Sequence, residues 1–435
     1  MSLPKYGDYK DSGVEWLGHT PSHWEVCKFR HAFTESTEKI DSEVVGLMLS
    51  VSGYRGIEVK EYDDENRRRL DDEVIGYRIV RSGQLVVNTM WLNYAGLGVS
   101  EHEGHVSPAY RSYWIKPGFE RRFVHHMMRC DSFVRGYAKF LTGVRPNSLQ
   151  MSRDDLMAFQ VLKPPSKEQA AIAAFLDRET TKIDALIAEQ EKLIDLLAEK
   201  RQATITNAVT KGLDPNAPRN DSGVAWLGEV PAHWEVAPLK RHWSVTDCKH
   251  ITAEFVPDGF PLASIREVQC KYVLLEEAKR TTQSFYEQLI EGGRRPLPGD
   301  LIFSRNATVG EVAQVSEGLP PFAMGQDVCL LRKLSNQASS DFMQSVIRSS
   351  VVVEQLKNIM VGSTFKRVNV EEIRSLQVPV PPPDEQARIA EFINDECKRQ
   401  DALGDEVGRT IGLLKEHRCA LITAAVTGQI DVRGT

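Results

Sequence analysis

Apolar residues recur at alternating three- and four-residue steps along two long stretches of this 435-residue chain. This spacing predicts α-helices that each present one apolar face to another helix. A helix from Glu168 to Ala208 would extend roughly 60 Å at about 1.5 Å per residue, and prolines at 164–165 and 381–383 prevent an earlier start. The apolar positions are Ile183, Leu186, Ile187, Leu193, Ile194 and Leu197, then Val407, Ile411, Leu414 and Leu421. Four residues interrupt the two faces, so further helices from partner proteins are expected to cover what remains: Gln190, Arg201, Gly404 and Arg418.

Both helices belong to a block that occurs twice. Residues 164–214 pair without a gap with residues 381–431, and the segment D-S-G-V-E-W-L-G-H-T-P-S-H-W-E-V at 11–26 agrees with 221–236 at twelve of sixteen positions. One copy is intact in the middle of the chain, and the other is divided between its two ends. A repeat in this circular order implies a closed pseudo-dimer. The termini should then meet, the helices should run antiparallel and the two intervening domains should face opposite ways. Duplication of an ordinary helix is the alternative, and the division of one copy argues against it.

The segments between the repeats favour β-strands. Residues 82–89 (S-G-Q-L-V-V-N-T) and 298–305 (P-G-D-L-I-F-S-R) are corresponding glycine-led apolar runs that end in polar residues. The predicted fold is α+β, with two β-rich domains joined by two long antiparallel helices in a coiled coil, under circular pseudo-two-fold symmetry. The predicted bounds are 1–26 for the N-terminal part of the split repeat, 27–163 for the first domain, 164–236 for the central repeat with its helix, 237–380 for the second domain and 381–435 for the C-terminal repeat with its helix.

The charge is unevenly distributed between repeats and domains. The chain as a whole carries −6, yet residues 27–163 carry +2 and residues 237–380 carry +1, so the acidic excess lies in the repeats. A small asymmetry of this kind suits a protein that obtains much of its affinity for phosphates from partner subunits.

No catalytic or metal-binding signature is present in the sequence. There is no G-x-x-x-x-G-K-[ST] loop, no N-P-P-[FY] or D-P-P-Y run, and His102 and His105 lack the spacing of a helical zinc pair. His125 and His126 are neighbours that would diverge on a helix. The seven cysteines are scattered without a C-x-x-C pair, which favours reduced thiols in a cytoplasm and no structural zinc. We find no membrane-length apolar run and no secretory leader, and we predict no metal and no cofactor bound by this chain.

The candidate DNA contacts are polar and aromatic residues at strand ends and in glycine-containing loops. Arginine, asparagine and lysine make paired contacts to base edges, and glycine lets the backbone approach closely. Solvated loops of the same composition are common, and this remains the alternative for each loop. The candidates are Asn88, Trp91, Asn93 and Tyr94 after the first strand; Ser304, Arg305, Asn306 and Thr308 after the second; Arg145, Asn147 and Ser148 in one loop; and Thr364, Lys366 and Arg367 in the other.

Two basic runs differ in their surroundings. Residues 67–69 are three arginines flanked by acidic residues, which indicates a self-neutralised, solvent-facing segment. Arg294 and Arg295 have only Glu291 nearby in sequence, so Arg295 is the better candidate for a phosphate contact.

The tryptophan segments that follow each helix in the circular order contain Trp16, Trp24, Trp226 and Trp234. Large apolar side chains among turn formers favour local core packing at the helix ends. A partner-docking surface is the second interpretation, because exposed tryptophan is enriched at interfaces.

Taken together, these segments resemble the specificity subunits of type I restriction-modification systems. The resemblance is specific in the repeated blocks, including P-P-S-K-E-Q-A-A-I-A-A-F-L-D at 164–177, P-P-P-D-E-Q-A-R-I-A-E-F-I at 381–393 and A-V-T-G-Q-I-D-V at 425–432. It is loose in the two domains, as expected if these set different target sequences.

The resemblance implies a non-catalytic subunit that binds double-stranded DNA. Two target-recognition domains would each read half of a gapped sequence while the long helices fix their separation. Two modification subunits would methylate adenine with S-adenosylmethionine, and two restriction subunits, where present, would use ATP and magnesium. Because the domain sequences diverge, the target should be asymmetric, with half-site centres on the order of one to two helical turns apart.

Two other classes of function remain open from the residues alone. A coiled-coil scaffold that assembles a multisubunit complex without reading DNA would show no sequence preference. An enzyme with an unrecognised site would be active as the purified chain.

Overall fold

The computed structural model describes residues 4–62, 71–143, 149–360 and 367–434, and it divides into two compact units. The first unit comprises Met1–Glu191 with Gly408–Thr435, and the second comprises Lys192–Val407. Each unit contains one of the predicted domains, 27–163 or 237–380, together with parts of both long helices.

The first unit has twelve described strands and four shorter helices. The strands are β1 (Tyr9–Asp11), β2 (His19–Pro21), β3 (Glu25–Lys28), β4 (Phe33–Glu35), β5 (Leu47–Ser52), β6 (Gly56–Val59), β7 (Arg78–Val80), β8 (Leu85–Asn88), β9 (Leu97–Val99), β10 (Gly104–Val106), β11 (Tyr110–Ile115) and β12 (Gln160–Lys163). The helices are α1 (Phe29–Ala32), α2 (Arg121–Arg129), α3 (Asp131–Ala138) and α4 (Arg153–Ala158), followed by the long α5 (Ser166–Lys211), which continues into the second unit.

The second unit repeats this plan. Its described strands are β13 (Arg219–Asp221), β14 (Glu229–Pro231), β15 (Glu235–Pro238), β16 (Trp243–Asp247), β17 (Phe255–Val256), β18 (Phe260–Ala263), β19 (Arg280–Thr281), β20 (Leu301–Ser304), β21 (Val312–Gln314), β22 (Ala323–Met324), β23 (Val328–Lys333) and β24 (Gln377–Val380). Its helices are α6 (Gln283–Ile290), α7 (Ser340–Arg348), α8 (Ser350–Met360) and α9 (Val370–Ser375), followed by the long α10 (Pro383–Val426), which continues into the first unit.

One sheet has the same topology in both units. The strand order is β4-β11-β8-β9 in the first unit and β16-β23-β20-β21 in the second, with every neighbouring pair antiparallel. Its central strand β8 or β20 is the glycine-led apolar run of the sequence, and all four residues of each strand are buried. A second four-stranded sheet accompanies it, with the orders β6-β5-β10-β7 and β17-β19-β18-β22.

Both long helices begin close to the predicted positions, α5 two residues before Glu168 and α10 at the last of the three prolines. Helix α5 starts at Ser166, directly after Pro164-Pro165, and α10 starts at Pro383. Ile183, Ile187, Val407 and Ile411 of the predicted apolar faces are buried. Among the described residues, no helix combines the length and the apolar composition that crossing a membrane requires.

Ion pairs show that the helices run antiparallel. In the first unit, Arg418 Nε lies 2.9 Å from Asp184 Oδ1, and Lys415 lies 3.8 Å from Glu191. In the second unit Arg201 pairs with Asp401. Asp184 and Asp401 are matched positions of the repeat, as are Arg201 and Arg418. The two arginines that interrupt the predicted apolar faces therefore make the same ion pair, once in each unit.

The chain termini meet within the first unit, as the circular repeat predicts. The backbone N–H of Asp431 donates to the Pro4 carbonyl at 2.8 Å, and the Tyr9 hydroxyl donates to the Gly428 carbonyl at 3.0 Å. The divided copy of the repeat is thus closed by contacts between its two parts.

Two of the four repeat tryptophans occupy equivalent buried sites. Trp24 Nε1 donates to Glu168 Oε2 at 2.9 Å, and Trp234 Nε1 donates to Glu385 Oε2 at 3.0 Å. Only 0% and 7% of these two tryptophans is exposed. The carboxylate pairing of the indole N–H places both tryptophans in local core, the first of the two interpretations, and their contact with a partner stays a prediction.

The other two tryptophans differ from each other. Trp16 is partly buried and stacks on Phe159, with ring centroids 4.7 Å apart, so it too belongs to local packing. Trp226, its counterpart in the repeat, is 41% exposed. It alone of the four keeps an exposed ring with which to meet a partner.

Candidate nucleic-acid interface

In each unit, several polar segments meet at one end of the strands of a sheet. In the first unit, β4 and β8 end where the antiparallel β11 begins, so Asn88 lies opposite Tyr110; we call this the first strand edge. In the second unit, β16 and β20 end where β23 begins, so Ser304 lies opposite Val328; we call this the second strand edge. The loops that follow β8 and β20 carry most of the described candidates.

Arg305 at the second strand edge is a buried structural residue. Only 3% of it is exposed, and its Nη2 lies 2.8 Å from Asp247 Oδ1 at the end of β16. Its backbone N–H donates to the Asp327 carbonyl and its own carbonyl accepts from Val368 N–H. The backbone of Arg305 thus joins two segments, and its buried guanidinium forms an ion pair with Asp247. Contact of Arg305 with bases stays a prediction, although the guanidinium is not at the surface.

Ser304 is buried and contacts the partly exposed Thr308. Ser304 is fully buried, and its hydroxyl lies 3.1 Å from the Thr308 hydroxyl and donates to the Asn306 carbonyl at 3.1 Å. These contacts shape the loop, and a base contact by either hydroxyl stays a prediction. The partly exposed Asn306 accepts the N–H of Ala307 through Oδ1 at 2.9 Å.

Arg367 is the surface cation of the second strand edge. It forms a β-bridge with Asn306, its side chain is 45% exposed, and its Nη2 is 3.8 Å from Asp327 Oδ1. A guanidinium held this loosely can turn towards an external acceptor. Arg295 is also exposed, but it lies near the opposite end of β20. Arg332 Nη2 donates both to the Arg295 carbonyl and to the carboxylate of Asp300, the residue before β20.

The first strand edge presents aromatic rings. Trp91 and Tyr94 are 55% and 58% exposed, with ring centroids 5.8 Å apart. Asn93 is partly buried, whereas Asn88 is 8% exposed and accepts the N–H of Met90 at 3.1 Å through its side chain. Asn88 thus helps to form the turn and is largely buried, so its contact with a base stays a prediction, while the aromatic pair lies on the surface.

A partly buried arginine holds this aromatic loop in place. Arg129 of α2 donates to the carbonyls of Ala95, Leu97 and Gly53, at 3.2, 2.5 and 2.8 Å. Burial lowers the pKa of Arg129 to about 10, which leaves it charged at neutral pH. Arg348 of α7 holds Gln269 and Cys270 carbonyls in the second unit by the same kind of contact.

The Glu35 carboxylate forms ion pairs with two arginines at the first strand edge. Glu35, the last residue of β4, lies 2.8 Å from Arg111 Nη1 and 2.8 Å from Arg153 Nε. Burial opposes its ionisation, yet hydrogen bonds from Arg153 and Arg111 outweigh burial and hold the pKa of Glu35 below its usual value. The Arg153 side chain is 53% exposed. Sequence analysis missed this cluster because strand pairing, not local spacing, brings its members together.

Unusual backbone conformations concentrate at the two strand edges. Among the described residues, the non-glycine residues with positive φ are Ala95 (53°), Ala307 (57°) and Asp327 (65°). Residues with a Cβ rarely adopt this conformation, and such strain persists where the surroundings impose it, often at functional sites.

Asp247, Cys248 and His250 offer ligand atoms within 4.8 Å of one another. Asp247 is already paired with Arg305, and burial raises the pKa of the Cys248 thiol, which opposes the thiolate that a metal requires. The cluster is better explained as packing around Arg305, and the absence of a bound metal stays a prediction.

Five candidates lie outside the described residues: Arg145, Asn147, Ser148, Thr364 and Lys366. The acidic-flanked run at 67–69 also lies outside them.

Comparisons with known proteins agree with this architecture. The family model for the type I restriction modification DNA specificity domain matches residues 280–403. The type I restriction enzyme MjaX specificity subunit of Methanocaldococcus jannaschii is 23% identical over 327 residues, which cover 73% of this chain and 69% of that protein.

Solved structures share the fold. A chain from a structure on complex assembly and conformational transition of the type I R-M system aligns with a TM-score of 0.63 at 15% identity, covering 94% of this chain and 98% of that one. The crystal structure of the HsdS subunit from Thermoanaerobacter tengcongensis aligns with a TM-score of 0.51 at 14% identity, covering 94% and 98%.

Two β-rich modules on a duplicated helical frame, with a DNA specificity domain matched in the second, define a DNA-specificity protein. More particularly, the family model, the similar curated proteins and the shared fold together support a specificity subunit of a type I restriction-modification system. Such subunits are non-catalytic, and the catalytic activity lies in other subunits.

Proposed function

We propose that this chain reads a bipartite, gapped sequence in double-stranded DNA, with one half-site recognised by each unit. The observation that carries the proposal is the strand edge that occurs twice, with the same topology but different side chains. The first presents Trp91 and Tyr94, and the second presents Arg367 and Asn306. A shared frame with different surfaces suits an asymmetric target.

We further propose that two modification subunits dock on the long helices. In the first unit Leu186 and Leu413 are 52% and 66% exposed, and in the second Leu403 and Leu196 are 46% and 49% exposed. Leu186 matches Leu403 in the repeat, and Leu196 matches Leu413. Matched apolar positions on both units favour two copies of one partner.

In this proposal the chemistry resides in the partners. The modification subunits methylate adenine with S-adenosylmethionine, and two restriction subunits, when present, use ATP and magnesium, while this chain binds no cofactor. The cysteines of the described residues are all free thiols, which supports a reducing cytoplasm as its location.

Co-expression with a modification subunit, followed by sequencing of host DNA for methylated adenine, tests the proposal. We expect one gapped motif with two different half-sites. A stable complex without new methylation would favour the scaffold, and methylation by the purified chain alone would favour an enzyme.

We expect charged substitutions on the helices to weaken partner binding. Leu186→Glu should remove one partner copy and Leu403→Glu the other, because each places a carboxylate in a contact that buries a leucine worth about 1.5–3 kcal/mol. Native mass spectrometry of the assembled complex would report the number of bound subunits. Leu334→Glu is the control, since Leu334 is 60% exposed but lies after β23 rather than on a long helix. Full occupancy by both partner copies in a variant that carries Leu186→Glu and Leu403→Glu together would exclude this surface.

A further inference from the structure

One exposed amide at the second strand edge makes a single long hydrogen bond to the described residues. Gln326 lies in the turn between β22 and β23, beside Asp327, whose carbonyl accepts the Arg305 N–H at 2.8 Å. The Asp327 carboxylate is 3.8 Å from the surface guanidinium of Arg367. Gln326 is therefore a neighbour of the exposed group that the second strand edge offers to DNA.

The turn is held rigidly. Asp327 has a φ of 65°, and the Gly325 N–H donates to the Ala263 carbonyl at 2.8 Å. A Cβ at Gly325 would lie 2.1 Å from Ser264 Oγ, so only glycine permits this close packing. A strained turn fixed on both sides of Gln326 fits a side chain that must be presented in one orientation.

The amide itself is left available. Within the part of the chain that the structure describes, its one hydrogen bond runs from Nε2 to the Thr252 hydroxyl at 3.4 Å, near the limit for such a bond. The Oε1 acceptor and the second N–H of this amide match the N6 and N7 edge of adenine, which a glutamine can bind through two hydrogen bonds.

The surroundings suit a nucleic acid. Gln326 lines a cavity of about 520 Å³ together with exposed Lys279 and Arg266. The Lys279 ammonium lies 4.4 Å from the centre of the Phe255 ring, which is 55% exposed. Cations beside a base-reading group can hold the flanking phosphates.

The geometry points to Gln326 as a specificity-determining residue that reads an adenine in the half-site of the second unit, with Lys279 on a neighbouring phosphate. This inference rests on the proposed function and names one residue that carries it.

The test uses the assembled complex of this chain with its modification subunits, and the motif that wild-type protein methylates. Gln326→Ala should make one position of one half-site degenerate, with discrimination between the correct and incorrect base reduced on the order of tenfold to hundredfold. Gln326→Glu should shift that position towards cytosine, because a carboxylate accepts from cytosine N4. Lys279→Ala should instead weaken binding evenly across sequences.

Gln337→Ala is the matched control, since Gln337 is exposed in the same unit but follows the opposite end of β23. Gln326→Met keeps the bulk of the side chain and serves if the alanine variant does not assemble. An unchanged motif in both Gln326→Ala and Gln326→Met, or an even loss at all sequences, would overturn the inference while leaving the proposed function standing. If the wild-type complex methylates no gapped motif, both the inference about Gln326 and the proposed function are contradicted.

Discussion

A chain in which residues 237–380 are replaced by the corresponding domain of another specificity subunit should direct methylation to a hybrid motif. One half-site should change completely and the other should stay as it was. The original second half-site should lose its specific affinity, on the order of a thousandfold, because every contact that reads it has been exchanged.

The strand pairing at the ends of this segment explains why the exchange should be tolerated. β15 and β24 are antiparallel neighbours, with Ala237 opposite Val378 and Pro238 opposite Gln377. The two ends of the exchanged segment therefore lie side by side on the same small sheet. β3 and β12 provide the same arrangement in the first unit, where Cys27 lies opposite Val161.

Sequencing of methylated adenines in cells that express the hybrid with the modification subunits would give the motif. The matched control replaces residues 27–163, which should change only the other half-site. A change of both half-sites by either exchange would contradict independent reading by the two units.

The second large effect concerns stability. Glu168→Ala should destabilise the first unit by about 2–4 kcal/mol, because the buried Trp24 indole N–H and His23 both lose the carboxylate that they bind. Glu168 is 7% exposed, so water does not readily replace the lost acceptor. Glu385→Ala should act in the same way on the second unit, through Trp234 and His233.

Thermal unfolding followed by calorimetry would measure the loss, expected as a fall in Tm of roughly 5–15 °C for units of this size. Glu179→Ala is the control on the same helix, since Glu179 pairs at the surface with Lys182 and Arg178 and should contribute less than about 1 kcal/mol. Glu168→Gln should lose less than Glu168→Ala, because its amide oxygen can still accept from Trp24. Equal stability of Glu168→Ala and Glu179→Ala would show that the buried carboxylate is not needed.

Local patterns predicted the frame of the molecule well. The starts of α5 and α10 follow from prolines, and the meeting of the termini follows from a repeat divided between the chain ends. Two of the three antiparallel ion pairs involve arginines that interrupt the apolar pattern, Arg201 and Arg418, so these interruptions mark paired positions.

Prediction of individual surface residues was less successful. Arg305 directly follows an apolar strand, where a charged side chain is expected at the surface, yet Asp247 of another strand pairs with it in the interior. Glu35 forms ion pairs with Arg111 and Arg153, which lie far from it in the sequence, so no local spacing predicts this cluster. The sequence does not distinguish Gln326 from any other loop glutamine. Only the structure places it in a strained turn near Arg367.

The sequence by itself determined the duplicated helices, their circular order and the two strand-rich domains between them, because periodicity and self-similarity are properties of neighbouring residues. Only the tertiary structure decided which polar residues face outward at the strand edges. Whether Arg305 or Arg367 is buried depends on the carboxylates that other strands bring within a few ångströms, and strand pairing joins residues that the sequence keeps far apart.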